Sequence, residues 1–353
     1  MRIADFSLTT VQIPLRTPFV TALRRVEAAV AIRLTVTDDT GQVGVGEAPP
    51  TEAITGESMA DIARTLETLL LPALAEPFES LDEALARLHG ACDGRTSAKA
   101  CCDIALHGLF ARQAGRPLWR FLGAESPPAL RTAVTVSLDT PEAMAAQAAD
   151  FTKRSLTILK VKVGGKDDQD AARIEAVRRA APNARLLIDA NQAWTEAEAL
   201  RLIEAVAPLG IELVEQPLPA RDLTGMRRLT ARSPVPILAD ESAFDLEGVR
   251  RVIETEAAHM VNVKLMKCGG LAKAAEILAW CEKEGVPCMM GSMLETPASI
   301  EAALQLAARY PETVRYADLD SPLLYKCLSE DCGLALRADR LHLKSQPSRR
   351  RLR

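Results

Sequence analysis

From about residue 130 onward, short β-branched or apolar runs recur, each closing on a polar position and followed by a stretch of helical composition. The runs are Val134–Leu138, Leu159–Val163, Leu186–Ala190, Glu212–Gln216, Ile237–Asp240, Val261–Lys264, Cys288–Gly291 and Tyr316–Leu319. Their starts are separated by 25, 27, 26, 25, 24, 27 and 28 residues. Such an interval holds one strand, one helix of about 11 residues and two short loops. Pro141–Lys153, Asp168–Ala180 and Glu196–Ala207 read as the helices, with Thr140 and Thr195 available as N-caps. Strands alternating with helices require right-handed parallel crossovers, so eight of them at this period predict a TIM-type (β/α) barrel. A doubly wound open sheet uses the same alternation and stands as the second reading.

Residues 1–125 follow a different pattern. Ile3–Pro14 and Ala28–Thr37 read as strands, and the turn Asp38-Asp39-Thr40-Gly41 leads to a third, Gln42–Gly46. Met59–Leu71, Leu81–Leu88 and Ser97–Gln113 read as helices. This predicts a separate α+β domain, joined near Ala124–Pro128 to a barrel over 126–322. Phe19–Arg25 and Pro49–Glu57 read as loops able to reach over a barrel mouth. The segment 323–353 is too short for a domain and is expected to pack back on the first one. The glycines at 41, 44 and 46 do not spell a phosphate-binding loop, since Pro49-Pro50 follows them instead of a helix.

Composition narrows the function classes. The 353 residues carry 43 Lys+Arg against 47 Asp+Glu, a net charge of −4, which excludes the strongly basic face of a nucleic-acid binder. No apolar run is long enough for a membrane span, and the polar start, with Arg2 and Asp5, is no secretory signal. The eight cysteines show no C-x-x-C spacing, and their density is far below that of a disulfide scaffold. Reduced thiols in a cytoplasmic enzyme are the expectation, with a homo-oligomer left open.

Barrel active sites sit at the carboxyl ends of the strands. Read there, the runs deliver Lys160 and Lys162, Asp189 with Asn191, Glu215, Asp240, Lys264, and finally Asp318 and Asp320. Isolated surface charges would scatter among loops and helices; these close apolar strands. Asp189, Glu215 and Asp240 come from consecutive strands, so they should converge within reach of one hard cation. Oxygen-only ligands with open positions suit Mg2+ better than zinc. Lys160 and Lys162 stand at i and i+2 and share the interior face. Mutual repulsion and a neighbouring cation should move such a lysine from about 10.4 toward the range of about 7–8 useful to a general base. Lys264 lies across the barrel from them. Lys267 competes with it, but falls beyond the strand and just before Gly269-Gly270.

Leu159-Lys160-Val161-Lys162-Val163, Ile188-Asp189-Ala190-Asn191-Gln192, Val214-Glu215-Gln216-Pro217, Ala239-Asp240-Glu241-Ser242 and Asn262-Val263-Lys264 together resemble the muconate-lactonizing subgroup of the enolase superfamily. The resemblance spans essentially the whole chain. It implies a modified (β/α)7β barrel under an α+β capping domain, and enediolate chemistry with a lysine base and Mg2+. Asn191 and Glu241 are then groups that orient the ligands and lysines. Within the subgroup, three places resemble the dipeptide epimerases: Thr21-Ala22-Leu23-Arg24, Asp318-Leu319-Asp320, and Gly291-Ser292-Met293-Leu294-Glu295. The resemblance implies that Arg24 binds a glutamate side-chain carboxylate and that Asp318 and Asp320 hold the dipeptide ammonium. Thr135, Ser292, Met293 and Leu294 would line the pocket, with Lys162 and Lys264 as the two acid–base groups and Lys160 as electrostatic support. Glu47-Ala48-Pro49-Pro50 and Ile54-Thr55-Gly56-Glu57-Ser58 fit the same pattern, whereas the ending Ser345–Arg353 departs from it. The expected reaction is epimerisation of an L-Ala-L-Glu or L-Ala-D-Glu type of dipeptide. The alternatives are another reaction of the subgroup (N-acylamino-acid racemisation, o-succinylbenzoate synthesis or cycloisomerisation) and a non-enzymatic binding barrel.

Overall fold

A long antiparallel hairpin opens the chain. The computed structural model describes residues 1–21, 25–328 and 332–344. Strands β1 (Ile3–Val20), β2 (Arg25–Asp38) and β3 (Val43–Ala48) form one sheet in that order. Asp38 shapes the second turn, its carboxylate accepting from the backbone N–H groups of Thr40 and Gln42. The strands outrun the hydrophobic pattern. Phe19 and Val20, expected in a loop, pair with Val26 and Arg25, which satisfies backbone groups that a loop would leave to water. The expected loop Pro49–Glu57 likewise contains a helical turn, Glu52–Thr55. The helix Thr96–Gln113 lies directly on β3. A Cβ at Gly44 would come within 2.1 Å of the Ala105 carbonyl oxygen, and one at Gly46 within 1.8 Å of that of Cys101. Those glycines serve sheet–helix approach.

After a short strand β4 (Ala129–Arg131), eight parallel strands follow in sequential order: β5 (Val134–Val136), β6 (Ile158–Lys162), β7 (Arg185–Asp189), β8 (Ile211–Glu215), β9 (Ile237–Ala239), β10 (Met260–Lys264), β11 (Cys288–Gly291) and β12 (Val314–Asp318). The Ala133 N–H donates to the Ala317 carbonyl at 2.8 Å and closes the ring. The open-sheet reading is thereby excluded. Helices fill every interval, and Thr140 and Thr195 cap theirs as expected. The helix expected from Asp168 begins at Asp170, whose carboxylate turns back to the Gly164 and Gly165 N–H groups.

Alternation then sorts the barrel interior into layers. Ala133, Ile158, Leu187, Leu213, Leu238, Met260 and Met289 form a separate apolar plug. Two residues further along each chain stand Thr135, Lys160, Asp189, Glu215, Asp240, Asn262 and Gly291. A period of two thus lays a polar floor directly on an apolar one.

Two carboxylates fasten the first domain to the barrel. Asp103 accepts from Leu271 N and Ala272 N, at 2.6 and 3.3 Å, at the start of the helix Leu271–Glu284. Glu47 accepts from Ala298 N at 2.9 Å, at the start of the helix Pro297–Ala307. Neither helix has a side-chain cap from its own N-cap residue, so the capping domain supplies the charge that a helix N-terminus favours. The segment beyond Leu323 meets the first domain where Lys326 N donates to Pro14 O and Leu15 bridges Tyr325. Its hairpin, β13 (Leu334–Arg337) and β14 (Arg340–Leu343), pairs instead with β4, and Asp339 ties it to Arg131 and Thr157. The ending Ser345–Arg353 lies outside the described residues. No helix among the described residues is long and apolar enough to cross a membrane.

Candidate active site

A cleft opens between the polar floor and the first domain. From the barrel it is lined by Thr135, Lys160, Lys162, Asn191, Asp240, Glu241, Lys264, Ser292, Met293, Leu294, Asp318 and Asp320. From the capping domain come Phe19, Thr21, Thr51, Ala53 and Ile54. The singled-out residues therefore meet in one place, with three exceptions. Asp189 and Glu215, both fully buried, do not line the cleft themselves, and Arg24 lies outside the described residues.

Strand register sets the neighbours. Lys162 pairs with Asp189 and Asp189 with Glu215 across adjacent strands, while Lys264 pairs with Gly291 and Gly291 with Asp318. Lys160 occupies the centre, with its Nζ 2.9 Å from Asp189 Oδ2, 2.7 Å from Glu215 Oε2 and 2.7 Å from Asp318 Oδ2. Lys162 donates to Asp189 Oδ2 at 2.6 Å and to Asn191 Oδ1 at 3.0 Å. Asn191 in turn donates to Glu241 Oε1. Lys264 donates to Asp240 Oδ2 at 2.6 Å and stands 3.9 Å from Glu215 Oε1.

Among the described residues no group of three acidic, histidine or cysteine side chains is already drawn together tightly enough to hold a metal ion. Ammonium groups stand between the strand-end carboxylates, Lys160 joining Asp189 to Glu215 and Lys264 joining Glu215 to Asp240. The same carboxylates act on the charge of Lys160 and Lys264. Burial opposes their charge, but the surrounding carboxylates outweigh it and raise both above the ordinary lysine value.

The carboxylates share that charge unequally. Despite burial, Lys160 and Lys162 hold Asp189, and Lys264 and Lys267 hold Asp240, well below the usual range. Burial and the neighbouring Asp189 push Glu215 up to about 7, and burial with Asp240 pushes Glu241 up to about 7. Glu215 Oε2 touches the Lys160 ammonium yet receives no hydrogen bond. The site is short of positive charge, and its donors are buried oxygens. Asp189, Glu215 and Asp240 fit a hard dication on both grounds.

At the last strand, Asp320 Oδ2 accepts from Thr135 N at 2.7 Å, and burial together with Asp318 pushes Asp320 up to about 6. Asp318 gives Oδ2 to Lys160, while its buried Oδ1 has no partner. Ser292 N donates to Asp318 O, and Met293 N to Glu295 Oε1, which fixes the loop carrying Ser292, Met293 and Leu294.

Some participants escaped the sequence pattern. Asn262 donates to Glu215 Oε1 at 2.9 Å. It stands two residues before Lys264, so the same-face rule that paired Lys160 with Lys162 would have found it. Its side chain needs the bare Gly291 beside it, where a Cβ would come within 2.3 Å of Asn262 Oδ1. Gln216 accepts from Asp240 N and Ser242 N through Oε1, buttressing the next strand end. Lys267 holds Asp240 rather than facing the cleft. The capping-domain lining, by contrast, comes from the two segments expected to reach over the barrel mouth: Phe19 and Thr21 from the first, Thr51, Ala53 and Ile54 from the second.

Residues 3–123 match the model of the mandelate racemase / muconate lactonizing enzyme N-terminal domain, and residues 143–347 match the enolase C-terminal domain-like model. An L-amino acid-D/L-Glu epimerase of Sulfurimonas denitrificans is 40% identical over 328 residues, 92% of this chain and 95% of that protein. A substrate-liganded L-Ala-D/L-Glu epimerase of Bacillus subtilis superposes with a TM-score of 0.94 at 38% identity, covering 98% of each chain. A dipeptide epimerase of Enterococcus faecalis, complexed with Mg and L-Leu-L-Tyr, superposes with a TM-score of 0.91 at 34% identity, also covering 98% of each.

Proposed function

This chain belongs to the mandelate racemase / muconate lactonizing enzyme family of the enolase superfamily, and from that membership we propose that it is a Mg2+-dependent dipeptide epimerase. The reaction inverts the α-carbon of the C-terminal residue by removing a proton on one face and returning one on the other. The observation that carries the reading is the pair Asp318 and Asp320. They stand at i and i+2, line the same cleft as the lysines, and leave a buried carboxylate oxygen without a partner. A free ammonium answers that arrangement. Substrates of N-acylamino-acid racemases lack one.

Lys162 and Lys264 line the cleft from strands far apart around the ring and act as the two acid–base groups. Asp189, Glu215 and Asp240 would hold Mg2+, which supplies positive charge to the substrate carboxylate as the α-carbon loses its proton. Lys160, fixed from three sides, adds a permanent charge beneath that position. Lys264 owes its raised pKa to Asp240 and Glu215. Neutralising those carboxylates removes the cause and returns the lysine toward the range of a general base. Asn191 steadies Lys162 and links it to Glu241.

Arg24 is assigned to the distal carboxylate of a glutamate side chain, whose planar pairing an arginine fits. The eight free cysteines suit a cytoplasmic setting. The test is kcat/KM for L-Ala-L-Glu, L-Ala-L-Leu and N-acetyl-L-Glu on the wild type and on Arg24→Ala. The reading requires the free dipeptides to outperform N-acetyl-Glu. Arg24→Ala should harm Ala-Glu alone; equal losses on Ala-Glu and Ala-Leu would withdraw the glutamate preference.

A further inference from the structure

The proposed reaction gives Lys267 no task. Yet this ammonium, 1% exposed, donates to four oxygens. They are Asp240 Oδ1 and Asp240 O at 2.6 Å, Asn262 O at 2.8 Å and Ala243 O at 3.0 Å. The helical turn Leu265–Cys268 follows β10 without a gap and carries Lys267 back beneath the end of β9. The other oxygen of Asp240, Oδ2, accepts from Lys264. One carboxylate is thus divided between two lysines, one facing the cleft and one behind it.

We propose that Lys267 is a positioning residue that closes Oδ1 of Asp240 and leaves Oδ2 as the single oxygen this carboxylate can offer into the cleft. The proposal rests on the reading of Asp240 as a cation ligand. Its consequence is opposite to that of an ordinary supporting contact. A positive charge behind a ligand carboxylate repels a dication. Without it, the charge of Asp240 is no longer offset from behind, and the Oδ1 side of its carboxylate is no longer fixed. Both changes favour the cation, and both lose the aim of Oδ2. Removing the charge therefore tightens metal binding and slows turnover.

Calorimetric titration of Mg2+ into the full chain, without dipeptide, tests this on the wild type, Lys267→Met, Lys267→Gln and Lys267→Arg. The Gln and Met variants should bind Mg2+ about tenfold more tightly, because one unit of like charge is gone. Their kcat for the dipeptide should fall about tenfold or more while KM changes little, as expected when a group is misaimed rather than a pocket lost. Lys267→Arg keeps the charge and should keep the wild-type metal affinity. If Lys267→Met fails to fold by circular dichroism, Lys267→Gln carries the test, since its amide retains two N–H donors for the carbonyls there. Equal or weaker Mg2+ binding by the Gln variant would overturn the proposal, and so would a wild type that binds no Mg2+. Failure of the dipeptide reading shows separately, as a wild type that binds Mg2+ but epimerises nothing.

Discussion

Replacing Asp318 by Asn removes one negative charge from the station assigned to the substrate ammonium while keeping its shape. Asp318 and Asp320 are each only 6% exposed, so water gives little compensation for a missing charge there. Truncating one side of a buried charge pair costs about 2–5 kcal/mol. Asp320 remains in Asp318→Asn, and the amide oxygen can still accept, so the lower part of that range applies. A loss of about 2–3 kcal/mol corresponds to about 30- to 150-fold in kcat/KM. Lys160 also loses its Asp318 partner, a change felt by every substrate. The assay therefore compares L-Ala-L-Glu with N-acetyl-L-Glu, which presents the same carboxylates without the ammonium. The predicted excess loss belongs to the free dipeptide. Equal losses on both substrates would show that Asp318 acts through Lys160 alone, and the ammonium station would have to be abandoned.

Asp189→Asn and Glu215→Gln should each weaken Mg2+ binding about tenfold or more by calorimetry, since each removes an anionic donor; full turnover after exhaustive chelation would contradict the metal assignment. Lys162→Ala and Lys264→Ala should each abolish epimerisation, while one of them should retain exchange of the α-proton of a single stereoisomer with D2O; a variant that epimerises at the wild-type rate would refute the two-base scheme. Burial opposes charge on His107, but Asp103 at 3.1 Å outweighs it and raises the imidazole above its usual 6.5. A raised folded value means stability fully present below pH 6.5 and lost as pH climbs through the raised value. Chemical denaturation of His107→Gln should accordingly show a larger loss at about pH 6 than at about pH 9, and an equal loss at both would remove the ion pair from the domain contact.

The barrel and its floor were legible because one rule writes both. A period of two places Lys160, Asp189, Glu215 and Asp240 above Ile158, Leu187, Leu213 and Leu238, so charge at the end of an apolar strand already announces the site. What stayed hidden lies off that rule. Asp103 and Glu47 cap helices more than 150 residues away, and local sequence carries no trace of such a contact. Phe19 and Val20 read as loop because the hairpin overhangs the pattern of buried positions. The protonation of the lysines depends on which carboxylate oxygens their ammoniums reach, and strand spacing does not determine that. Lys267 looked like an outlier beyond its strand; a tight turn returns it beneath Asp240.

The central claim is a proton lost and regained at one carbon of a dipeptide, and its most direct test is incubation of L-Ala-L-Glu with the protein and Mg2+ in D2O. Mass spectrometry of the hydrolysed product, with the two residues resolved, reports where deuterium enters. The account predicts a single deuterium at the α-carbon of the glutamate, none in the alanine, and L-Ala-D-Glu accumulating with it. A dipeptide that stays unlabelled and unepimerised, beside rapid labelling of N-acetyl-Glu, would contradict it.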